Sequence, residues 1–156
     1  MFRNAFALCS RGKCTDPQKA LEYLNEAIKL KPDYAEAYNN RGNVYGDLGQ
    51  HQQAIEDYNE AIRLKPDYAI AYNNRGVDYR DLGQNQRAIE DYNEAIRLNP
   101  DYVMAYSNRG DAYLNQGDKE SGCRDAQKAC ELGNCKLLES ANGKNTAVDL
   151  MVNSKI

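Results

Sequence analysis

The chain has 156 residues and a formal net charge of −3 at pH 7, with 28% charged side chains and no basic patch. Nucleic-acid-binding proteins carry clustered lysine and arginine, so this balance argues against nucleic acid as a partner. No segment is long and apolar enough to span a membrane, and the N-terminal stretch lacks the length and cleavage pattern of a secretory signal. We therefore expect a cytoplasmic protein without a membrane span.

Acidic residues mark the predicted helix starts. Asp16 is followed by Pro17, which combines a capping side chain with proline at the first helical position. Asp33 and Glu36 have the spacing of a capping box. Asp101 is placed to cap the helix that follows it.

Prolines reveal an internal period. Pro32, Pro66 and Pro100 recur every 34 residues, and residues 35–68 read almost the same as residues 69–102. A period of a few tens of residues is typical of a chain built as a stack of small units, each buried by its neighbours.

Each unit predicts two helices. Residues 88–98 form an amphipathic run, and before it four apolar or aromatic side chains share one helical face: Ala69, Tyr72, Tyr79 and Leu82. Gly83 follows the first run, where a helix C-cap is expected, and Pro100 follows the second, where a helix cannot easily continue.

A glycine lies in the middle of the first helix of three units, at Gly42, Gly76 and Gly110. Each glycine is expected to cost about 1 kcal/mol relative to alanine. The shared reason we predict is close helix packing, in which the second helix approaches Gly76 with its small Ala88 and Ala95 turned inward.

These positions resemble the tetratricopeptide repeat, whose pattern places an aromatic, glycine and aromatic on the first helix, then alanine, an aromatic, alanine and proline. The resemblance implies an all-α, right-handed solenoid of tandem helix-turn-helix units. Tyrosine replaces the usual tryptophan, and these tyrosines are predicted to be core residues. The matching positions are Tyr38, Gly42, Tyr45, Ala54, Tyr58, Ala61 and Pro66, then Tyr72, Gly76, Tyr79, Ala88, Tyr92, Ala95 and Pro100.

The units at the two ends are predicted to depart from the pattern. The N-terminal unit loses the motif in its first half, and the last full unit has Gly122 in place of alanine and Ala126 in place of tyrosine. Terminal repeats are expected to be atypical, because one of their faces meets water. The predicted division is a degenerate repeat in residues 1–34, repeats in 35–68, 69–102 and 103–136, and a short capping helix with a flexible tail in 137–156.

Arginine and aspartate recur together. An arginine precedes each mid-helix glycine, an aspartate recurs in the following helix, and the first unit has Ala7 and Tyr23 at these two places. Their joint loss predicts an ion pair between the two helices of a repeat, with a ligand role as the alternative. The residues concerned are Arg41, Arg75, Arg109, Asp57, Asp91 and Asp125.

The chain has five cysteines, so at least one thiol is unpaired in a monomer. Cys130 and Cys135 straddle a glycine-containing turn and could approach each other. We interpret Cys9, Cys123 and Cys130 as small packing residues. Because there is no C-x-x-C pair and His51 is the only histidine, we expect no zinc site and no other metal.

The resemblance implies a concave groove lined by the first helix of each repeat. Carried over by position, its lining is Glu36, Asn39, Asn40, Asn43, Asp47, Ile70, Asn73, Asn74, Val77, Arg80, Asp81, Met104, Ser107, Asn108, Asp111, Leu114 and Asn115.

Asn40, Asn74 and Asn108 recur once per repeat along this lining. An amide carries donors and an acceptor, so a row of amides can hold the backbone of an extended peptide. The alternative is a set of solvated or inter-repeat asparagines inherited by duplication.

The family's clamp for a C-terminal carboxylate, built from Lys, Arg and Asn, fits poorly. Asn39 and Asn43 match, but lysine is missing and Arg80 is the only strong cation. Acidic side chains make the lining negative, which favours a neutral or basic peptide. These are Glu36, Asp47, Asp81 and Asp111.

The sequence therefore predicts a protein-interaction scaffold that binds a peptide segment or helix of another protein. The alternative is a structural protein that self-associates through its terminal faces or its C-terminal tail. Catalysis has little support, because the sequence contains no nucleophile near a base, no phosphate loop and no dinucleotide fingerprint. We expect a non-enzymatic protein without a cofactor.

Overall fold

The computed structural model describes residues 9–10, 13–14 and 16–137. Near the N-terminus, two short antiparallel strands pair Cys9 with Cys14. They lie in the half of the first unit that has lost the motif. The elements are β1 (Cys9–Ser10), β2 (Lys13–Cys14), α1 (Pro17–Leu30), α2 (Ala35–Asp47), α3 (His51–Leu64), α4 (Ala69–Asp81), α5 (Asn85–Leu98), α6 (Val103–Gln116) and α7 (Lys119–Glu131).

The helices stack in chain order. Each helix from α1 to α7 contacts the next, and the first helices α2, α4 and α6 also contact one another across neighbouring repeats. The described helices therefore form an all-α solenoid, as the sequence predicts. The contacts among α2, α4 and α6 bring these three helices side by side, and the predicted groove residues lie on them.

Glycines with positive φ turn the chain between the two helices of a repeat. Gly49 and Gly83 both have φ +74° and Gly117 has φ +85°, a left-handed conformation that side chains disfavour. Gly83 directly follows Leu82, the C-cap residue of α4. The predicted helix end at this glycine is therefore confirmed.

The predicted helix caps are only partly correct. The Asp16 carboxylate accepts a hydrogen bond from Lys19 N at 3.0 Å, which confirms the first cap. The predictions for Asp33 and Asp101 are wrong, because the following tyrosine holds the N-cap position in each case and no side chain caps the helix. The aspartate lies one residue too early to reach the free N–H groups.

The mid-helix glycines accommodate tyrosine rings. A Cβ built on Gly42 would lie 2.7 Å from Cε1 of Tyr58, and one on Gly76 would lie 2.6 Å from Cε1 of Tyr92. Tyr58 and Tyr92 are buried, with 2% and 0% exposure. Ala88 is also fully buried, as predicted, but the group that requires Gly76 is the Tyr92 ring rather than the small alanines.

The last full repeat replaces this contact with leucines. A Cβ on Gly110 would lie 2.8 Å from Cδ2 of Leu137, and a Cβ on Gly122 would lie 2.6 Å from Cγ of Leu114. Leu137 therefore fills the volume that Tyr58 and Tyr92 fill in the preceding repeats. Leu138 and the predicted tail lie outside the described residues.

A disulfide joins Cys130 to Cys135. The packing interpretation of Cys130 is therefore wrong, because the turn through Gly133, with φ +104°, brings the two cysteines together. Cys123 is buried and free, as predicted, and the side chain of Cys9 lies outside the described part of the chain.

Candidate functional site

The face formed by α2, α4 and α6 is called the groove here. Its exposed members are Asn43, Asp47, Ile70, Asp81, Met104 and Asn115. Its half-buried members are Glu36, Asn40, Asn74, Val77, Arg80, Ser107, Asn108, Asp111 and Leu114. Asn39 and Asn73 are buried beneath it, with 2% and 1% exposure.

Amides bond to one another across the repeats. Nδ2 of Asn74 donates to Oδ1 of Asn39 at 3.1 Å and to Oδ1 of Asn43 at 2.9 Å. One repeat later, Nδ2 of Asn108 donates to Oδ1 of Asn73 at 2.9 Å. Both N–H donors of Asn74 are thus used inside the protein, and none is left for a peptide carbonyl. This geometry matches the alternative interpretation, in which the asparagines bond between repeats.

Asparagine disfavours a helix interior, so its recurrence needs a compensating interaction. Asn39 and Asn73 provide this interaction, because each accepts a hydrogen bond from the next repeat. A buried amide is stable only when its polar atoms are hydrogen-bonded. The series ends at Ser107, which accepts a hydrogen bond from Nδ2 of Asn134 at 3.2 Å. The row of amides therefore helps to set the stacking of one repeat on the next.

Arginine and aspartate join the two helices of each repeat. Arg75 donates from Nε to Oδ2 of Asp91 at 2.8 Å and from Nη2 to Oδ1 at 2.6 Å. The predicted pair is confirmed there and in both neighbouring repeats. Burial opposes the charge on Arg75, but the hydrogen bonds to Asp91 outweigh it and raise the pKa of Arg75.

Sequence reasoning missed a third partner of each arginine. Nη1 of Arg75 donates at 2.6 Å to Oδ1 of Asn59, on the second helix of the preceding repeat. The guanidinium also lies over the rings of Tyr72 and Tyr79, 5.5 and 5.9 Å from their centroids. Asn25, Asn59 and Asn93 recur 16 residues before each arginine, and this spacing was the available signal.

The interface between the second and third repeats contains a fully partnered polar cluster. Nδ1 of His51 lies 2.6 Å from Oδ1 of Asp78, which is 4% exposed. The hydroxyl of Tyr58 donates to Oδ1 of Asn43 at 2.9 Å. Burial raises the pKa of Asp78, while the hydrogen bond from His51 opposes that shift. The sequence signal was a single aspartate at a position that holds Val44 in the second repeat and Ala112 in the fourth.

The interface between the third and fourth repeats has different residues at the equivalent repeat positions. Val77 stands where the second repeat has Asn43, Ala112 stands in the place of Asp78, and Asn85 in the place of His51. Among the described residues, two buried side-chain atoms have no hydrogen-bond partner, Oη of Tyr92 and Oδ1 of Asn85. The equivalent residues one repeat earlier, Tyr58 and His51, both have hydrogen-bond partners.

Burial and nearby charges both affect the pKa of the Tyr92 hydroxyl, and burial, the larger cause, raises it. Its electrostatic neighbours include Arg80, Asp81 and Asp111. Arg80 donates from Nε and Nη2 to one oxygen of Asp81, at 3.2 and 3.1 Å. Asp111 has no hydrogen-bond partner in the part of the chain that the structure describes. Burial raises the pKa of Asp111, and the positive charge of Arg80 opposes this.

Two apolar side chains lie on the groove at the first turns of α4 and α6. Ile70 is 47% exposed and Met104 is 57% exposed, one repeat apart. Their equivalent in the second repeat is Glu36, which accepts a hydrogen bond from Nζ of Lys65 at 3.1 Å. The first turns that line the groove thus carry apolar side chains in α4 and α6 and a carboxylate in α2.

Within residues 16–137, no helix is long and apolar enough to cross a membrane. The same residues contain no group of three or more His, Cys, Asp or Glu side chains that could hold a metal ion.

Family models match most of the chain. A TPR repeat model matches residues 7–49 and 78–117, and two tetratricopeptide repeat models match residues 35–68 and 105–132. The chain belongs to the tetratricopeptide repeat family. The resemblance seen in the sequence is therefore confirmed. Tyr58 and Tyr92 are core residues, as predicted, whereas the other motif tyrosines are only half-buried: Tyr38, Tyr45, Tyr72 and Tyr79.

Solved tetratricopeptide repeat structures share this fold. A crystal structure of MamA is 31% identical over 82% of this chain and 71% of that chain, with a TM-score of 0.70. The first repeat domain of Spaghetti (RPAP3), bound to the HSP90 peptide SRMEEVD, is 28% identical over 70% of this chain and 88% of that chain, with a TM-score of 0.67.

The OM64 repeat domain from Arabidopsis is 28% identical over 70% of this chain and 92% of that chain, with a TM-score of 0.68. A search of curated proteins finds no match for the chain.

Proposed function

We propose that this tetratricopeptide repeat protein is an interaction scaffold that holds a peptide segment or helix of a partner protein in its groove. The observation that carries the proposal is the pair of exposed apolar side chains, Ile70 and Met104, on the face formed by the first helices. Exposed apolar side chains on a concave face are typical of a surface that is covered by a partner. The scaffold acts by binding and not by catalysis.

The likeness to the RPAP3 domain, which is bound to a peptide, supports this mode of binding. The partner proposed here differs in charge from the peptide bound to the RPAP3 domain, because SRMEEVD has two glutamates and an aspartate near its end. Among residues 16–137, no side chain bonds to the groove carboxylates of Asp47 and Asp111, and Arg80 is already bonded to Asp81. An acidic peptide would meet like charges, so the proposed partner is neutral or basic.

The groove contacts its partner through side chains that are free of inter-repeat bonds. Asn74 and Asn108 donate to amides of the preceding repeat, so their main contribution is to the shape of the groove. Ile70 and Met104 supply apolar contact, and Asp111 supplies charge. Specificity then resides in a few groups that differ from repeat to repeat.

A random dodecapeptide library displayed on phage tests the proposal. Wild type is compared with an Ile70→Ser, Met104→Ser variant and with a matched control, Leu30→Ser, which changes an apolar residue that is 68% exposed at the end of α1. We expect enriched peptides whose affinity falls at least about tenfold in the double variant and is unchanged in the control. Absence of any enriched peptide, or equal binding by all three proteins, would overturn the proposal.

Sedimentation velocity separates this function from self-association. A scaffold that binds peptides keeps one sedimentation coefficient over a wide range of protein concentration. A rise with concentration that a selected peptide does not reverse would favour self-association through the terminal faces or the tail.

A further inference from the structure

We propose that the disulfide between Cys130 and Cys135 is a redox-sensitive restraint on the last repeat, and that its reduction by a dithiol loosens α6 and weakens peptide binding in the groove. The loosening of α6 is independent of what the groove binds, whereas the effect on peptide binding rests on the proposed function.

The disulfide connects the end of α7 to the residues that follow it. Cys130 lies in the last turn of α7, and Cys135 lies beyond the turn at Gly133, which has φ +104°. Both cysteines are partly exposed to solvent. The preceding repeats have isoleucine and aspartate at these two positions, as in Ile96 and Asp101, so this covalent link is specific to the last repeat.

Residues 134–137, called the end segment here, contact α6 at two places. Nδ2 of Asn134 donates to Oγ of Ser107 at 3.2 Å, and Cδ2 of Leu137 lies 2.8 Å from the position of a Cβ added to Gly110. Ser107 and Gly110 are three residues apart and therefore lie on one side of the helix. Leu137 takes the volume that a tyrosine ring fills in the preceding repeats, so the end segment closes the packed core.

The last repeat lacks the features that fix the same link elsewhere in the chain. Asn134 stands where the preceding repeats have proline, and among the described elements no helix pair follows α7 to hold the end segment from the other side. A repeat is buried only by its neighbours, so a terminal repeat depends on its own cap. Apart from its contacts on α6, the end segment is held to α7 by the disulfide and by the hydrogen bond from Asn134 N to the oxygen of Ala129, at 2.8 Å.

Reduction proceeds by thiol–disulfide exchange. A thiolate of the dithiol attacks one sulfur of the disulfide, which breaks the bond between Cys130 and Cys135 and forms a mixed disulfide. The second thiol of the reagent then displaces the cysteine sulfur and closes a cyclic disulfide. The protein gains two electrons and two protons as two thiols, and the dithiol loses the same number.

The helix that the end segment covers also carries groove residues. Met104 is exposed at the first turn of α6, and Ser107 lies one turn further along. When Leu137 leaves Gly110, the end of the core meets water, so α6 opens locally more often. A binding surface that is ordered for a smaller fraction of the time has a lower apparent affinity, so the reduced protein binds a peptide more weakly.

Hydrogen exchange of the full chain, measured by mass spectrometry with and without dithiothreitol, tests the loosening. One variant combines Cys130→Ser with Cys135→Ser and cannot form the bond, a second is Leu137→Ala, and the matched control is the exposed neighbour Lys136→Ala. In wild type and in the control, we expect dithiothreitol to speed exchange in α6 and α7 about tenfold and to leave α3 unchanged.

The variants show whether the disulfide acts through the end segment. The double-serine variant is expected to exchange at the reduced rate under both conditions. Leu137→Ala is expected to exchange rapidly in α6 even when oxidised, and to gain little from dithiothreitol. Unchanged exchange in α6 on reduction of wild type overturns the inference. So does an equal effect of dithiothreitol on the double-serine variant, or alkylation of both cysteines before any reductant is added.

Fluorescence polarisation with a peptide that the phage library enriches measures the effect on the groove. We expect the affinity of wild type to fall about fivefold or more on reduction, and that of the double-serine variant to stay the same. Equal affinity of oxidised and reduced wild type overturns the link to the groove and leaves the scaffold function standing. Failure to enrich any peptide overturns the scaffold function, whereas hydrogen exchange still decides whether the disulfide restrains α6.

Discussion

The guanidinium of Arg75 faces the carboxylate of Asp91 across two nearly parallel hydrogen bonds of 2.8 and 2.6 Å. The residues lie on α4 and α5, so this pair closes the helix hairpin of the third repeat. Both side chains are largely buried, with 18% and 8% exposure. A buried pair of this kind is destabilising when only one partner is removed, because the other charge is left uncompensated.

We predict that Arg75→Met and Asp91→Asn each lower the free energy of unfolding by about 3 kcal/mol. The double variant loses less than the sum, with a coupling energy of about 1 to 3 kcal/mol in a urea-denaturation cycle. The matched control is the exposed pair of Arg63 and Glu60, for which we expect a much smaller coupling. Strict additivity for Arg75 and Asp91 would contradict the pair's structural role.

Gly76 is required by the Tyr92 ring, whose Cε1 lies 2.6 Å from the position of an added Cβ. We predict that Gly76→Ala lowers the free energy of unfolding by about 1 to 3 kcal/mol, although alanine is the better helix former. In a Tyr92→Leu background the same change is expected to be neutral or stabilising. An unchanged thermal midpoint for Gly76→Leu in the wild-type background would show that the ring is not in close contact.

Removing one hydroxyl is expected to have opposite effects in two repeats. Tyr58→Phe loses a bond to Asn43 and lowers the free energy of unfolding by about 1 kcal/mol. Tyr92→Phe removes a buried hydroxyl that has no partner within residues 16–137, so stability is unchanged or higher. Chemical denaturation of the two variants checks the difference. A comparable loss in both would mean that Tyr92 has an internal partner.

His51 and Asp78 are expected to be coupled across the interface of the second and third repeats. His51→Asn leaves the buried Asp78 carboxylate without its bond and lowers stability by about 1 to 3 kcal/mol. Adding Asp78→Ala recovers much of that loss, because asparagine with alanine is the combination found at Asn85 and Ala112. If Asp78→Ala lowered stability further in the His51→Asn background, the proposed coupling would be wrong.

Burial raises the pKa of Asp111, and this gives two pH dependences. Binding of a basic peptide needs the ionised carboxylate, so affinity is lost as pH falls through the raised pKa of Asp111. Stability has the opposite sign. The contribution of Asp111 is fully present below its unfolded pKa and is lost as pH rises through the folded pKa.

Asp111→Asn provides the reference for both measurements. Peptide affinity is expected to become nearly independent of pH near the aspartate range, and the stability of wild type relative to the variant is expected to decrease as pH rises. Arg80 and Asp81 remain in place in both proteins, so they cancel in the comparison. If peptide affinity fell equally in wild type and in Asp111→Asn as the pH was lowered, another group would be responsible for the pH dependence.

Local structure was readable from the sequence because each signal lies within one repeat. The positions of Gly83, the buried alanines and the tyrosines depend on helix periodicity and on backbone conformation, which act over a few residues. The pairing of Arg75 with Asp91 could be inferred because both are lost together in the first unit. The caps at Asp33 and Asp101 were wrong because a shift of one residue at a helix start decides which side chain reaches the free N–H groups.

The sequence by itself determined the repeat, the two helices in each unit and the all-α solenoid, and it predicts which residues line the groove. Tertiary structure decided which of those groove residues are free to bind. Asn74 and Asn108 bond across repeats, whereas Asp111 and the Tyr92 hydroxyl have no hydrogen-bond partner in the described part of the chain. The reason is physical, since these contacts join residues more than 30 positions apart and depend on how each repeat is rotated on the last.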